Sequence, residues 1–252
     1  MTIEPSTTAV AVYCGSSTGN QPAFVKAATS LGTALANSKR RLVYGGSHRG
    51  IMGAVSRAVL DAGGHVTGIL PYAMVAAGGE GEKVRQPKEE SVGGGDGSVM
   101  VDVEPDDEHL ETIVVDSMHT RKVEMAKRSC GFIGLPGGFG TFEEVFEVTT
   151  WTQLGIHIKP VILLNVLGFY DPLRQQIRNA IEAGFIQPYN ESLIIFVDGP
   201  DSRAREDHES FDWGKAALSA LENWKGLKGK AMFDWGTKPD GQVSEEGSLG
   251  AS

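Results

Sequence analysis

Short apolar runs of strand length alternate along the chain with segments whose apolar residues recur at the spacing of an amphipathic helix. The apolar runs predict strands at Ala9–Tyr13, Leu42–Tyr44, Val66–Leu70, Thr112–Val115, Gly131–Leu135, Val161–Leu164 and Leu193–Val197. The segments between and after them predict helices at Pro22–Ser38, Gly50–Ala62, Met118–Arg128, Thr141–Leu154, Tyr170–Ala183 and Asp201–Trp224. Continuous apolar strands separated by helices indicate an α/β fold, a parallel sheet with helices on both faces. Ligands of such sheets bind beyond the carboxyl ends of the strands.

Two stretches fall outside this alternation. Residues 73–111 contain the runs Gly78–Glu82 and Gly93–Gly97, and their glycine and charge content predicts a long, mobile loop. The polar, Gly-rich residues 225–252 predict a loosely held tail. We therefore expect one domain at 1–224, followed by a flexible tail.

Composition narrows the classes of partner. The 252 residues carry a formal net charge of -9, whereas binding a nucleic-acid backbone or an anionic membrane would need a basic surface. The first residues lack the pattern of a signal peptide, and no apolar run reaches membrane-spanning length. We therefore expect a cytoplasmic protein that binds a small molecule, with no nucleic-acid or membrane partner.

The spacing of the cysteines and histidines indicates neither a metal site nor a disulfide. Cys14 and Cys130 lack CxxC spacing and lie beside predicted strands, where a buried free thiol is the ordinary interpretation. The six histidines show neither HxxxH nor HExxH spacing. We expect no disulfide and no metal.

The strongest chemical signal is the junction Gly131–Glu144, where an apolar strand breaks into a Gly-rich turn and then opens a helix. The first turn of a helix has unpartnered N–H groups and the positive end of the helix dipole, so it binds anions such as phosphate. Glycines let the main chain approach such a ligand closely. These are Gly137, Gly138 and Gly140. Glu143 and Glu144 follow at once and would repel a phosphate, which favours a chemical task over a mere complement to the dipole.

A step of 100° per residue assigns faces to the helix after this turn. The predicted buried face holds Phe142, Val145, Phe146 and Thr149. The neighbouring stripe holds Glu143, Glu147 and Thr150, and Glu144 falls beyond Glu143 on the side of Trp151.

The segment Met118–Met125 supplies positive charge. Arg121 and Lys122 flank a stripe of Met118 and Met125 that should face the protein. An arginine fork holds a phosphate or carboxylate through two hydrogen bonds, and a lysine adds a point charge. The alternative is a pair of solvent-exposed side chains that cover apolar surface with their stems.

Two further Gly-rich turns follow predicted strands, at Cys14–Gly19 and Tyr44–Gly53. Each alone is a weak signal, and the absence of GxGxxG disfavours a dinucleotide site. With the turn after residue 135, they would line one edge of the sheet with backbone donors. Such an edge suits a nucleotide.

Several of these motifs occur together in one order. They are Cys14–Ser17, Tyr44–Gly46, Gly50–Gly53, Met118–Lys122, Pro136–Glu144, Thr150–Pro160, Leu164–Asn165 and Gly168–Tyr170. The combination resembles the LOG (Lonely guy) family over roughly residues 9–200. Its members cut the N-glycosidic bond of cytokinin riboside 5'-monophosphates, which are N6-modified adenosine monophosphates, and release free base and ribose 5-phosphate. The resemblance implies a single Rossmann-like domain, a homodimer and no cofactor.

The family pattern also implies roles for residues of this chain. Arg121 and Glu144 are the implied catalytic pair. The implied substrate-binding residues are Gly15, Ser16, Gly45, Gly46, Met118, Lys122, Gly137, Gly138, Gly140, Thr141, Glu143 and Thr150.

The chain departs from the family pattern in two places. Ser47 stands where the family has a third glycine, and the 73–111 stretch is longer than usual. A further substrate-binding acid is expected in that stretch. The candidates are Glu104, Asp106, Asp107, Glu108 and Glu111.

Two other functions stay open on the sequence. One is a broader nucleosidase acting on adenosine monophosphate and other purine nucleotides. The other is a carrier of nucleotides or of the molybdenum cofactor, which would use the same turn without hydrolysis.

Overall fold

The computed structural model of the chain describes residues 8–76, 99–100, 108–226, 233 and 235. Within them, eight strands form one sheet in the order β4-β5-β3-β2-β1-β6-β7-β8. The strands are β1 Val10–Tyr13, β2 Leu42–Tyr44, β3 Val66–Pro71, β4 Val99–Met100, β5 Leu110–Val115, β6 Phe132–Gly134, β7 Val161–Leu164 and β8 Ile194–Val197. The helices are α1 Pro22–Asn37, α2 Gly50–Asp61, α3 Tyr72–Ala76, α4 Met118–Lys127, α5 Phe139–Leu154, α6 Asp171–Glu182, α7 Arg205–Ser210 and α8 Trp213–Glu222.

The predicted α/β fold is confirmed. Seven strands pair in parallel, and β4 adds an antiparallel edge through the register Val99↔Val114. Apolar residues cover both faces of the sheet: α1, α2 and α8 pack on one face, and α4 and α5 on the other.

The strand order reverses between β1 and β6, which is where ligands of such sheets bind.

Two predicted elements differ from the structure. The predicted helix Asp201–Trp224 is two helices, because Phe211 is extended and the Asp212 side chain accepts the Lys215 N–H to start α8. The predicted loop 73–111 includes most of α3, the strand β4 and the start of β5, whereas 77–98 and 101–107 lie outside the described residues.

Most of the predicted tail also lies outside the described residues. In its described part, the Trp235 indole N–H donates to the Leu154 carbonyl at 3.0 Å, at the C-terminal end of α5. Trp235 also packs against the apolar cluster beneath α5.

Three predicted absences concern the described ranges. No helix in them is long and apolar enough to cross a membrane. They hold no group of three or more histidine, cysteine or acidic side chains suited to a metal ion. Cys14 is buried and Cys130 half-buried, and both are free thiols.

Candidate active site

Three turns meet at the carboxyl edge of the sheet, where β1, β2 and β6 end. The Gly15 N–H donates to the Pro136 carbonyl at 3.1 Å, and the Gly15 carbonyl accepts the Ile51 N–H at 3.0 Å. Gly50 has a φ of +60°, and a Cβ there would lie 2.3 Å from the Ser16 carbonyl carbon. The glycines thus allow the three turns to touch main chain to main chain.

The turn after β6 leads into the first turn of α5, whose residues 138–140 are exposed. Gly138 is the N-cap of α5, and the first hydrogen bond of the helix runs from the Phe142 N–H to the Gly138 carbonyl at 3.1 Å. The amides of Phe139, Gly140 and Thr141 therefore precede the helical bonding pattern. A Cβ added at Gly138 or Gly140 would meet nothing within 4 Å. This end of α5 therefore has the open geometry that favours the binding of an anion.

Gly137, unlike Gly138 and Gly140, is required to be glycine because its surroundings leave no room for a side chain. A Cβ there would lie 2.1 Å from Thr141 Oγ1 and 2.8 Å from the Gly15 nitrogen. Thr141 is itself buried, so Gly137 packs between the first turn of α5 and the turn after β1.

A buried ion pair lies next to these turns. Arg121 on α4 donates through Nη2 to Glu144 Oε1 on α5 at 3.1 Å, and each side chain is 9% exposed. Gly45 leaves room for the guanidinium, since a Cβ there would lie 2.2 Å from Arg121 Nη2. Among the described residues, Arg121 Nε has no hydrogen-bond partner. The structure therefore brings together the implied catalytic pair and the turn after β2.

The environment of Glu144 shifts its proton affinity. Burial raises the pKa of its carboxyl to about 7, with Arg121 opposing the rise and Glu143 adding to it. A carboxyl that titrates near neutral pH can serve as an acid or a base, and such perturbed groups concentrate at functional sites.

Lys122 connects α4 to the exposed side of α5. Its Nζ donates to Glu143 Oε1 at 2.5 Å and to Glu147 Oε1 at 2.9 Å. Burial lowers the pKa of Lys122, but the hydrogen bonds to the two acids outweigh it and raise the pKa overall. Two carboxylates thus already neutralise Lys122, which holds the two helices together.

The face predicted for α5 is wrong by part of a turn. Phe146 is 42% exposed rather than buried, whereas Glu144 is buried. The observed buried residues are Thr141, Glu144, Val145, Val148, Trp151 and Thr152. The prediction followed apolar residues alone, but polar side chains with local partners share the true face. Met118, predicted to face inward, is 41% exposed and touches Arg121 Nη1 through its sulfur at 3.7 Å.

Several predicted site residues lie at or near the turns without a contact that assigns them a role. Gly46 has a φ of +80° and packs against Leu70, and Ser16 is exposed at the rim. Ser47, the departure from the family pattern, is fully buried, and its hydroxyl accepts the Arg49 N–H at 3.2 Å. The extra side chain therefore stabilises its own turn.

Thr150 and two of the candidate acids lie away from the Gly-rich turn at residues 136–141, which we call the phosphate turn. Thr150 lies ten residues after Gly140, about 15 Å along the helix at 1.5 Å per residue, and its hydroxyl donates to the Phe146 carbonyl at 2.8 Å. Glu111, one of the five candidate acids, lies near the amino end of β5, at the opposite edge of the sheet from these turns, and pairs with Arg41 at 2.8 Å. Glu108 is exposed in the turn before β5, and the other candidates, at 104, 106 and 107, are outside the described residues.

Sequence reasoning missed Tyr13, the last residue of β1. Its hydroxyl is buried without a hydrogen-bond partner among the described residues. Burial raises its pKa, and the nearby Glu144 raises it further. The only signal in the sequence was a tyrosine directly before the turn that begins at Cys14.

This fold and this site define a class: Rossmann-like α/β proteins with a Gly-rich turn at the start of a helix, beside a buried arginine–carboxylate pair. Comparisons with known proteins narrow the class. The family model described as "Possible lysine decarboxylase" matches residues 52–206. A cytokinin riboside 5'-monophosphate phosphoribohydrolase from Arabidopsis thaliana is 43% identical, over 77% of this chain and 80% of its own. A probable enzyme of the same name from Oryza sativa subsp. japonica is 44% identical, over 77% of this chain and 73% of its own. The chain belongs to the LOG family, as do these two relatives.

A solved structure shows the same fold at lower similarity. The molybdenum cofactor carrier protein from Chlamydomonas reinhardtii matches with a TM-score of 0.50 and 18% identity, over 85% of this chain and 98% of its own. At 18% sequence identity, this similarity shows a shared fold alone.

Proposed function

We propose that this protein hydrolyses the N-glycosidic bond of N6-modified adenosine 5'-monophosphates, giving free cytokinin base and ribose 5-phosphate. The observation that carries the proposal is the buried Arg121–Glu144 pair beside the open amino end of α5. The names and the 43% and 44% identities of the relatives support the same reaction.

The substrate phosphate binds the amides that begin α5, because they combine free N–H donors with the positive end of the helix dipole. This places the ribose near the buried pair. Glu143 lies one residue before Glu144 on the exposed side of the helix, in reach of ribose hydroxyl groups.

In the reaction the bond between the anomeric carbon and the base nitrogen breaks, and its electrons leave with the base. Positive charge develops on the sugar, and the carboxylate of Glu144 stabilises it or orients the attacking water. The water oxygen bonds to the anomeric carbon, and one of its protons ends on the base. Arg121 holds Glu144 in place and steadies developing negative charge.

A second copy of the chain completes the site. Phe139, Glu143, Phe146 and Thr150 recur at helical spacing along α5 and are all exposed. Packing two such faces together buries the two aromatic rings. It also brings a Thr150 toward the phosphate turn, which the residue cannot reach from within its own chain. The free thiols suit a reducing compartment, and we place the homodimer in the cytoplasm.

Replacement of the acid tests the reaction. Glu144→Gln keeps the shape of the side chain but removes the charge, so kcat for base release should fall about 10²- to 10³-fold. The measurement is chromatography of free base released from isopentenyladenosine monophosphate and from adenosine monophosphate. Binding of the nucleotide to the variant, measured by calorimetry, should be largely retained.

Glu182→Gln, an exposed change at the end of α6, is the matched control and should keep full activity. Wild-type kcat in Glu144→Gln contradicts the assignment. If the unaltered protein binds both nucleotides but releases no base, the protein is a carrier. Equal rates on the two nucleotides indicate a broad purine nucleotide nucleosidase.

A further inference from the structure

A buried tyrosine outside the predicted site contacts the residue that connects β6 to the phosphate turn. Tyr170 is 1% exposed, and its hydroxyl donates to the Leu135 carbonyl at 2.6 Å. Leu135 is the residue directly before Pro136 and Gly137. The hydrogen bond therefore fixes the peptide unit from which the turn departs.

The same tyrosine also supports the other side of the turn. Phe142, in the first turn of α5, meets the Tyr170 ring edge to face, with ring centroids 6.5 Å apart. Phe169 contacts both rings, at 6.3 Å from Phe142 and 4.9 Å from Tyr170. Tyr170 thus touches the chain both before and after the amides of residues 138–141.

The position of Tyr170 is itself fixed by a buried amide. Asn165 is fully buried after β7, and its Oδ1 accepts the Tyr170 N–H at 2.7 Å. Its Nδ2 donates to Asp171 Oδ1 at 2.7 Å and to Asp198 Oδ1 at 2.8 Å. With both ends of its amide satisfied, Asn165 holds the start of α6 against the end of β8.

The Gly15 N–H holds the turn from the opposite side, through the Pro136 carbonyl. Two successive carbonyls, those of Leu135 and Pro136, are therefore each tied to a neighbouring element. Rotation of either peptide unit would turn the following amides away from a ligand at the end of α5. A backbone anion site depends on such prior orientation of its donors.

We propose that Tyr170 is a positioning residue for the phosphate subsite: through the Leu135 carbonyl and Phe142 it sets the direction of the amides that bind the phosphate. This inference rests on the proposed function. Burial raises the pKa of the Tyr170 hydroxyl, so it stays a hydrogen-bond donor at physiological pH.

The test removes the hydroxyl and compares ligands with and without a phosphate. Tyr170→Phe should weaken the binding of ribose 5-phosphate, measured by calorimetry, roughly tenfold, since one buried hydrogen bond orients the turn. The ratio of kcat/KM for the nucleoside monophosphate to that for the free riboside should fall by a similar factor. Tyr189→Phe, at a tyrosine that is 67% exposed, is the control and should change neither value.

The outcomes separate the two proposals. If the unaltered protein binds no ribose 5-phosphate, the proposed function fails, and this inference fails with it. If the unaltered protein binds it and folded Tyr170→Phe binds it equally well, only the positioning role is wrong. A lower melting temperature with unchanged affinity would mean that Tyr170 serves stability alone, which also overturns the inference.

A second variant covers the case in which Tyr170→Phe does not fold. Phe142→Leu keeps the Tyr170 hydroxyl but removes the ring contact with the start of α5. It should weaken ribose 5-phosphate binding and leave the affinity for ribose unaltered. Unchanged ribose 5-phosphate affinity in this variant contradicts the proposal.

Discussion

At the scale of single residues, the proposed chemistry depends on two largely buried charges. Arg121 and Glu144 come from two helices, and Gly45 from a third segment leaves the space in which the guanidinium lies. Breaking a buried pair by removing one partner leaves an uncompensated charge, which is strongly destabilising. Glu144→Gln also leaves the Arg121 charge without a counter-charge, but it keeps the volume of the side chain and an oxygen that can accept from Arg121 Nη2, so its melting temperature has to be measured beside its kcat.

The raised pKa of Glu144 predicts how activity varies with pH. The proposed reaction uses the carboxylate, and its pKa is about 7, so kcat/KM should rise about tenfold per pH unit below 7 and level off above it. Steady-state rates from about pH 5.5 to about pH 8.5 test this. A flat profile over that range would count against Glu144 as the ionised group.

The raised pKa of Glu144 also makes stability depend on pH, in the opposite direction from activity. The pKa of Glu144 is higher in the folded chain than its ordinary value of 4.5, so folding favours the protonated form. The stability that the folded chain gains by holding this proton is fully present below pH 4.5 and is lost as the pH rises through about 7. The pH range that activates the enzyme therefore also removes part of its stability.

At the scale of elements, the two faces of the sheet have different tasks. The face of α4 and α5 carries the ion pair and the amide site, whereas α1, α2 and α8 cover the other face with apolar side chains. The contact between α1 and α2 is very close at Gly32. A Cβ there would lie 2.5 Å from the Val55 carbonyl oxygen and 2.8 Å from Ala58 Cβ.

Gly32→Ala should therefore lower the free energy of unfolding by about 1–3 kcal/mol, because two packed helices would have to separate. Its kcat/KM per folded molecule should be unchanged, since Gly32 packs against Val55 and Ala58 in the middle of α2 and not against the turn that enters the site at Gly50. Urea unfolding and initial rates measure the two quantities. Thr33→Ala, at the exposed neighbouring position, is the control. An unchanged free energy of unfolding in Gly32→Ala would contradict this prediction, because it would show that α1 and α2 can move apart with no loss of stability.

The elements also show what the sequence could predict. The alternation of apolar runs predicted the seven parallel strands closely, because most of them are buried along their whole length and consist of continuous apolar residues. It placed the start of β5 two residues late, where Leu110 and Glu111 are only half-buried. It missed β4, which has two residues, and it joined α7 and α8 across Asp212. The burial of Glu144 could not be predicted from periodicity, since it depends on Arg121 reaching across from α4. The support that Tyr170 gives to Leu135 joins distant segments and left no local pattern.

At the scale of the whole molecule, the strand order explains why distant motifs form one site. β1 lies between β2 and β6, so the turns that follow these three strands are neighbours although they are far apart in sequence. The family motifs are thus close in space because of the topology. In the proposed homodimer, the exposed stripe on α5 would face a second copy of the chain.

Phe146→Asp should dissociate the proposed homodimer, because it places a charge in the centre of the paired stripes. Light scattering during gel filtration should give a mass near the 26.9 kDa of one chain, and base release should fall with it. Phe185→Asp, at a phenylalanine that is 87% exposed beyond α6, should leave mass and activity unaltered. A single-chain mass for the unaltered protein would show that the site is complete without a partner.

The amides at the start of α5 belong to the main chain, and every residue except proline carries the same N–H group. The side chain at position 139 is 92% exposed in the single chain and would face the second copy in the proposed homodimer, so its replacement would alter the surroundings of the proposed phosphate site without deleting a donor. Selection could therefore adjust this position to different substrates while recognition of the phosphate persists. An inhibitor anchored on these amides would in turn be difficult to escape by a single substitution in the turn.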